Sequence, residues 1–248
     1  MIFMRGLVTT RSDSTVDQQP SELDTAIYAA AEAGRLAGLS ATRVRRWLHG
    51  YEYRYAPARG EPSIRQQGPV VRRRGTAGTP YASFLDLVDL LFVKQFLDFG
   101  SSLQKVRKAL DEATQVLGTS HFARETFFTD GRNIYLQMKA TGDAILELLS
   151  GGQWVIAPII QQLARRIEFD KPTGLARRWY PLGPDGLVVL DPLVSFGRPA
   201  IVGRGIATAT VYDFYLAESR STRLVSSWMG LNRKEARAAI EFEESLVA

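Results

Sequence analysis

The chain has 248 residues, 45% of them hydrophobic, and a formal net charge of +5 at pH 7. A chain of this size can bury one large core or two to three smaller ones. It contains no cysteine, which excludes disulfide bonds, thiolate metal sites and cysteine nucleophiles. Its most apolar stretch, residues 84–99, is interrupted by charged residues, among them Asp86, Asp89 and Lys94, and is shorter than the roughly 18 residues that span a bilayer. We therefore predict no membrane partner.

Residues 1–24 are rich in Ser, Thr, Asp and Gln and lack the apolar core of a secretory signal. We expect them to form a disordered tail on a protein that stays in the cytoplasm. The rest of the chain divides into three predicted segments, which cover residues 25–118, 119–190 and 191–248.

Residues 27–51 predict two short helices joined by a tight turn, which is the arrangement of a helix-turn-helix. Gly38 can adopt the positive φ that ends the first helix, and Ser40 is the expected N-cap of the second. Apolar residues recur at i, i+3, i+4 spacing on the inward faces, at Ala33, Leu36 and Ala37 and then at Val44, Trp47 and Leu48. The first helix lacks a good cap, because Ala29 stands where a capping box has Ser or Thr.

Basic residues are concentrated on this motif and just after it. Residues 35–74 contain ten arginines and two acidic residues, a local charge of +8, whereas residues 75–248 are neutral overall. A concentrated arginine patch suits phosphate contact, whereas a face kept for solubility usually mixes both signs. We therefore predict binding to double-stranded operator DNA. The predicted DNA-binding residues are Arg35, Ser40, Thr42, Arg43, Arg45, Arg46, Arg72, Arg73 and Arg74.

The segment after Gly50 is rich in Tyr, Arg and Pro, and it predicts a wing or, alternatively, an unstructured basic linker. Strands near residues 53–55 and 69–73 would place the arginines at 72–74 along the sugar-phosphate backbone. Further along the chain, Ser83 is the expected cap of an apolar helix. Ser101 and Gln104 are the expected capping box of an amphipathic helix.

The order of these elements is specific: a helix, a glycine turn, an Arg/Trp helix, a wing, an apolar helix, a glycine and an amphipathic helix. The stretches that carry it are residues 32–40, 44–47, 87–93 and 102–110. In them the chain resembles the MerR-like winged helix-turn-helix, which implies that fold for residues 25–118. The chain lacks the cysteines and the sustained heptads of relatives that sense metals through thiols or dimerise through a long coiled coil.

The middle segment, residues 119–190, predicts a small sheet with a helix over it. It shows no phosphate loop, no metal-ligand spacing and no catalytic triad. The predicted elements are a hairpin over residues 126–136, a helix with Pro158 in its first turn and Ile167 on its apolar face, and strands near residues 177–180 and 187–190.

The last segment predicts three short helices, over residues 210–216, 221–228 and 234–243. Such a group is a DNA-binding scaffold or, alternatively, a packing or dimerisation module. With the loop motifs Gly197-Arg198-Pro199 and Gly203-Arg204-Gly205-Ile206, this segment resembles the small C-terminal domain of VapB-type antitoxins. Such domains more often read Gly-Thr-Arg-Ile-Pro at the second motif. Together with its MerR-like start, the chain resembles the long, two-module members of that family.

The resemblance implies an α+β, mainly α fold and the antitoxin of a type II toxin-antitoxin pair. Such a protein represses its own operon as a homodimer and neutralises a PIN-type ribonuclease toxin. Arg198 and Arg204 are the candidate toxin-binding residues, because a guanidinium competes with Mg²⁺ for carboxylates. The alternative is a MerR-like transcriptional regulator that responds to a small-molecule effector and has no toxin partner.

No catalytic residue, metal site or cofactor is predicted. His49 and His121, the only histidines, lie in different predicted segments. The acidic pairs, among them Asp86 with Asp89, are interpreted as solvated helix faces.

Overall fold

The computed structural model describes residues 23, 25–58, 60–71, 78–117, 121–125 and 158–247. These residues have an α+β fold, as predicted, in which helices are combined with small antiparallel sheets of two strands. Among the described helices, none has both the length and the hydropathy that a membrane span requires. Arg72, Arg73, Arg74, the hairpin predicted over residues 126–136 and all but Leu23 of the predicted tail lie outside the described residues.

The N-terminal half contains β1 (Ala26–Ala29), α1 (Ala30–Ala37), α2 (Ala41–His49), β2 (Tyr51–Tyr55), β3 (Ser63–Gln67), β4 (Tyr81–Ser83), α3 (Phe84–Asp98) and α4 (Leu103–Leu117). The C-terminal half contains α5 (Pro158–Ala164), β5 (Ile167–Phe169), β6 (Ala176–Trp179), β7 (Val188–Val189), β8 (Ala200–Ile201), α6 (Thr208–Ala217), α7 (Thr222–Met229) and α8 (Arg233–Val247). The strands pair in antiparallel fashion as β1 with β4, β2 with β3, β5 with β6, and β7 with β8.

Helix α3 is the centre of the larger hydrophobic core. Its first ten residues are all buried, which explains its apolar sequence, because a helix covered on every side has no polar face. The predicted cap is confirmed and is reciprocal. The Ser83 hydroxyl accepts from the Asp86 N–H at 3.0 Å, and the Asp86 carboxylate accepts from the Ser83 N–H at 2.9 Å.

The C-terminal helix α8 contributes to two cores. Phe242, near its end, packs in the larger core together with Trp179 of β6 and Val188 of β7. Nearer its start, Ala236 and Ile240 belong to a smaller core formed with α6, α7 and β8. The three helices predicted for the last segment are thus confirmed, with α8 extending to Val247.

The wing differs from its prediction. Its first strand lies where it was expected, but the second is Ser63–Gln67, and the described residues 69–71 form no strand. Val70 and Val71 are instead fully buried, and their N–H groups donate to the Trp47 carbonyl oxygen at 2.7 and 3.1 Å. The prediction of a strand there was therefore wrong, because this apolar pair anchors the wing to α2.

Two other local predictions are corrected. The cap of α4 is Ser102 and not Ser101, since the Ser102 hydroxyl accepts from the Lys105 N–H at 3.2 Å. The Ser101 N–H donates instead to the Phe96 carbonyl oxygen at 2.9 Å and closes the end of α3. Pro158 lies in the first turn of α5, as expected, but the helix ends at Ala164, so Ile167 is the first residue of β5.

The two predicted strands of the middle segment exist as β6 and β7, but they do not form one regular pair. Strand β6 pairs with β5 and β7 pairs with β8. The two are joined only by a single bridge between Trp179 and Leu190, with N–H···O distances of 3.0 and 2.8 Å.

The acidic pair on α3 is not a solvated face, so that interpretation was wrong. Asp86 and Asp89 are 1% and 0% exposed. Asp86 serves in the cap of α3, whereas the Asp89 carboxylate is held by His121 Nδ1 at 2.6 Å and accepts from the Ala123 N–H at 2.9 Å. Asp89 thereby fastens the residues that follow α4 to the central helix.

Candidate DNA-binding surface

The turn between α1 and α2 depends on two glycines. Gly38 has φ 64° and ψ 40°, the left-handed conformation that a residue without Cβ adopts most readily. The next N–H, of Leu39, donates back to the Gly34 carbonyl oxygen at 2.7 Å. A Cβ added at Gly34 would lie 2.5 Å from the Leu39 carbonyl oxygen. The two helices can therefore approach this closely only because Gly34 has no side chain.

Helix α2 is oriented by its buried side. Val44, Trp47 and Leu48 are 0%, 5% and 3% exposed, as the spacing predicted. Its N-terminus is capped by Ser40, whose hydroxyl accepts from the Arg43 N–H at 3.2 Å. The predicted DNA contacts Thr42, Arg43, Arg45 and Arg46 are all exposed, on the surface left free by the buried side.

Aromatic rings lie beside several of the exposed guanidinium groups. The Arg46 Cζ atom lies 4.9 Å from the centroid of the Tyr51 ring, and the Arg43 Cζ atom lies 6.0 Å from that of Trp47. A guanidinium on an aromatic face is attracted by the ring quadrupole and keeps its hydrogen-bond donors available. These contacts restrict the arginines before any ligand arrives.

The hairpin of β2 and β3 forms a wing directly after α2. Tyr51, Tyr53 and Tyr55 alternate along β2 and therefore share one face, and Arg65 pairs with Tyr53 across the hairpin. The Arg65 Cζ atom lies 3.6 Å from the centroid of the Tyr55 ring. Sequence reasoning did not select Arg65 as a site residue, although the period of two in the tyrosines marks the face on which it lies.

Two further contacts fix the base of the wing. Gly50 joins α2 to β2 with φ 75°, and a Cβ there would lie 2.3 Å from the Gln67 carbonyl oxygen. From α4, Arg107 Nη2 donates to the Gly68 carbonyl oxygen at 3.1 Å. Burial lowers the pKa of the Arg107 guanidinium, which the sequence did not single out. These contacts connect the wing to both α2 and α4.

Arg35, also predicted to contact DNA, lies on α1 and not on α2 or the wing. It lines a groove of about 320 Å³ between α1 and the C-terminal part of the chain. Arg198, one of the two predicted toxin-binding residues, lines the same groove, as do Glu32 of α1 and Glu243 of α8. The structure thus brings Arg35 and Arg198 together, although they are far apart in sequence.

Arg204, the second predicted toxin-binding residue, is held by an ion pair. Its Nε and Nη2 atoms lie 3.1 and 3.4 Å from the two carboxylate oxygens of Glu235. Glu235 also accepts from the Asn232 N–H at 2.7 Å at the start of α8. These contacts lower the pKa of Glu235, the backbone hydrogen bond being the larger cause. Arg198 is exposed and forms no ion pair with the described residues.

Within the described residues, no group of three or more His, Cys, Asp or Glu side chains could hold a metal ion. Asp89 and His121 contact each other instead, at 2.6 Å, and hold the residues after α4 against α3.

No family model matches the chain. It is 26% identical over 199 residues to a Mycobacterium tuberculosis protein named "Putative antitoxin VapB45", a match that covers 76% of this chain and 82% of that protein. It is 33% identical over 106 residues to uncharacterised HTH-type transcriptional regulators of Mycobacterium bovis and Mycobacterium tuberculosis, and this match spans 43% of each protein.

The fold is similar to the crystal structure of the protein Rv2018 from Mycobacterium tuberculosis. The TM-score is 0.64 at 23% identity, and the match covers 88% of this chain and 99% of the other. Taken together, the relatives support an antitoxin or helix-turn-helix regulator and carry no enzyme names.

Proposed function

We propose that this protein is a DNA-binding transcriptional repressor and the antitoxin of a type II toxin-antitoxin pair. The observation that carries the DNA-binding part is the orientation of α2. Because Val44, Trp47 and Leu48 are buried, the helix can present only its exposed side, which bears Arg45 and Arg46. A fixed helix with exposed arginines on one side is suited to a major groove.

In this proposal the residues of α2 and of the wing contact different parts of the DNA. Thr42, Arg45 and Arg46 contact base edges, since a guanidinium can donate two hydrogen bonds to a guanine. Arg43 and Arg65 contact phosphates, together with the arginines at 72–74, and so supply affinity without sequence preference. Ser40 acts mainly through its cap, which fixes the start of α2. A homodimer on a two-fold symmetric operator completes the arrangement.

The antitoxin part is supported by the 199-residue similarity to a named antitoxin, which extends well beyond the DNA-binding elements. We propose a PIN-type ribonuclease as the toxin and Arg198 as the residue that enters its acidic Mg²⁺ site. Arg198 suits this role better than Arg204, because the Arg204 guanidinium already binds Glu235. A free guanidinium can bind a carboxylate with two parallel hydrogen bonds and compete with the metal.

The DNA-binding part is tested by gel shift with the promoter fragment of this protein's own gene. Arg45→Ala/Arg46→Ala should lose specific affinity by a few kcal/mol, each good base contact being worth about 1–3 kcal/mol. The control is Arg165→Ala/Lys171→Ala, which removes two exposed charges far from α2 in sequence. Unchanged operator binding by the α2 variant would refute the recognition-helix assignment.

The antitoxin part is tested by coexpression with a PIN-type ribonuclease encoded beside this gene. The wild-type protein should relieve the growth arrest, Arg198→Ala should fail, and Arg198→Lys should rescue only in part because a lysine cannot form the bidentate contact. Point variants are preferable to truncation, since Phe242 of α8 packs in the larger core, which also contains residues of α1, α2 and α3. Lack of rescue by the wild-type protein would contradict the antitoxin role and favour an effector-responsive regulator.

A further inference from the structure

The turn between α7 and α8 has the same conformation as the turn between α1 and α2. Gly230 ends α7 with φ 62° and ψ 26°, whereas Gly38 ends α1 with φ 64° and ψ 40°. In both places a buried leucine follows the glycine: Leu39 is 9% exposed and Leu231 is 5% exposed. Both preceding helices have eight residues.

The hydrogen bonds of the two turns also match, each shifted by the 192 positions that separate residue 230 from residue 38. The Leu39 N–H donates to the Gly34 carbonyl oxygen at 2.7 Å, and the Leu231 N–H donates to that of Ser226 at 3.1 Å. The caps correspond as well. Ser40 accepts from the third N–H after it at 3.2 Å, and Asn232 does so at 2.9 Å.

Helix α8 is buried in the same register as α2. Ala236, Ala239 and Ile240 correspond to Val44, Trp47 and Leu48, and all six are 5% exposed or less. The same shift places Lys234 at the position of Thr42 and Arg237 at the position of Arg45, and both are exposed. The second pair of helices thus repeats the first in its turn, its cap and its buried positions, and it differs on the free side, where buried Glu235 and half-buried Ala238 stand at the positions of Arg43 and Arg46.

The exposed side of this second pair carries positive charge near the N-terminus of its second helix. Arg233, Lys234 and Arg237 are exposed in the first two turns of α8, and Arg223 is exposed in the first turn of α7. The acidic residue among them, Glu235, is 8% exposed and is bound to Arg204. The exposed ion pair of Arg237 with Glu241, at 3.0 Å, is of a kind worth little in water, so a phosphate can replace the carboxylate.

We propose that α7 and α8 form a second helix-turn-helix that contacts the phosphate backbone of double-stranded DNA through Lys234, Arg237 and Arg223. The proposal rests on the DNA binding proposed for α2 and extends it to a second segment of the duplex. One protomer then contacts DNA at two places, and the protected region is longer than a single helix-turn-helix would cover.

The test compares Lys234→Ala/Arg237→Ala with Arg165→Ala/Lys171→Ala, which removes the same amount of charge. Binding to the promoter fragment and to a duplex of random sequence is measured over a range of salt concentrations, after thermal unfolding has shown that both variants fold. Each lost phosphate contact should reduce the slope of log K against log salt by about 0.9, so the α8 variant should lose about two units of slope. The control should keep the wild-type slope.

Nuclease footprinting on the promoter fragment supplies the second measurement. The α8 variant should lose protection over one part of the footprint and keep the part that depends on Arg45 and Arg46. A wild-type slope and footprint in the α8 variant would overturn the second site, and normal DNA binding with lost toxin rescue would assign the surface to a protein partner instead. Failure of the proposed function gives a different result, because Arg45→Ala/Arg46→Ala would then bind like the wild type.

Discussion

The Tyr28 hydroxyl donates a buried hydrogen bond of 2.6 Å to the carbonyl oxygen of Gly197, 169 residues further along the chain. Tyr28 lies in β1, directly before α1, and Gly197 lies in the loop that carries Arg198. Burial also raises the pKa of the Tyr28 hydroxyl well above its usual value, so it remains a donor. The loop is therefore fixed to the N-terminal half, and the two proposed binding surfaces belong to one connected core.

Replacement of Tyr28 by Phe should lower the free energy of unfolding by about 1–3 kcal/mol, because the Gly197 carbonyl oxygen is left buried without its donor. The same replacement at Tyr53, which is 38% exposed, should change it by less than about 0.5 kcal/mol. Urea denaturation of the two variants measures the difference. Equal stabilities would show that the buried hydrogen bond contributes nothing.

The two helix pairs differ in how their tryptophans are placed, and this predicts different costs. Trp47 is 5% exposed and packs beneath α2, whereas Trp228 is 75% exposed on α7. Trp47→Ala should destabilise the protein by about 3–5 kcal/mol through the cavity it leaves. Trp228→Ala should cost less than about 0.5 kcal/mol. Chemical denaturation distinguishes the two, and a similar large loss at Trp228 would contradict its exposed position.

Gly34→Ala should strain the first turn, because the added Cβ would meet the Leu39 carbonyl oxygen at 2.5 Å. We expect a lower melting temperature and weaker operator binding, since α2 must move relative to α1. Gly68 is the matched control: it lies at the base of the wing, and a Cβ there meets nothing within 4 Å. A Gly34→Ala variant with wild-type melting and binding would show that the turn can relax at no cost.

The buried Asp89 carboxyl predicts a dependence of stability on pH. Burial raises its pKa above the ordinary value, more than the contacts with His121 and Ala123 lower it. The folded protein therefore holds this proton more tightly than the unfolded chain does. Its contribution to stability is present at low pH and is lost as the pH rises from about 4 through the folded pKa. Asp89→Asn should lack this contribution, so the difference between the unfolding curves of wild type and variant should vary over that range; a constant difference would contradict the shift.

Arg65 lies on the wing and should contribute affinity without sequence preference. Arg65→Ala should weaken binding to operator and random duplexes by a similar factor and lower the salt slope by about 0.9. Arg165→Ala removes a charge elsewhere and should leave both unchanged. Gel shifts on the two duplexes measure both affinities. A loss of affinity confined to the operator would show that Arg65 contacts a base and not a phosphate.

Local chemistry in the sequence was enough to predict the elements that depend on near neighbours. The glycine turn at Gly38, the caps at Ser40 and Ser83, and the three C-terminal helices could be read from spacing and residue type, because their hydrogen bonds join residues a few positions apart. The concentration of arginine after residue 35 is likewise a property of the sequence alone.

Contacts between distant residues could not be predicted in this way. Asp89 lies on an apolar helix, and its buried carboxylate is satisfied by hydrogen bonds to His121 and Ala123. Arg204 is occupied because α8 brings Glu235 beside it. The second strand of the wing lies earlier in the sequence than predicted, because Val70 and Val71 are hydrogen-bonded to Trp47 instead. In each case a polar or apolar group was satisfied by a partner far along the chain, and only the tertiary structure determines which partner that is.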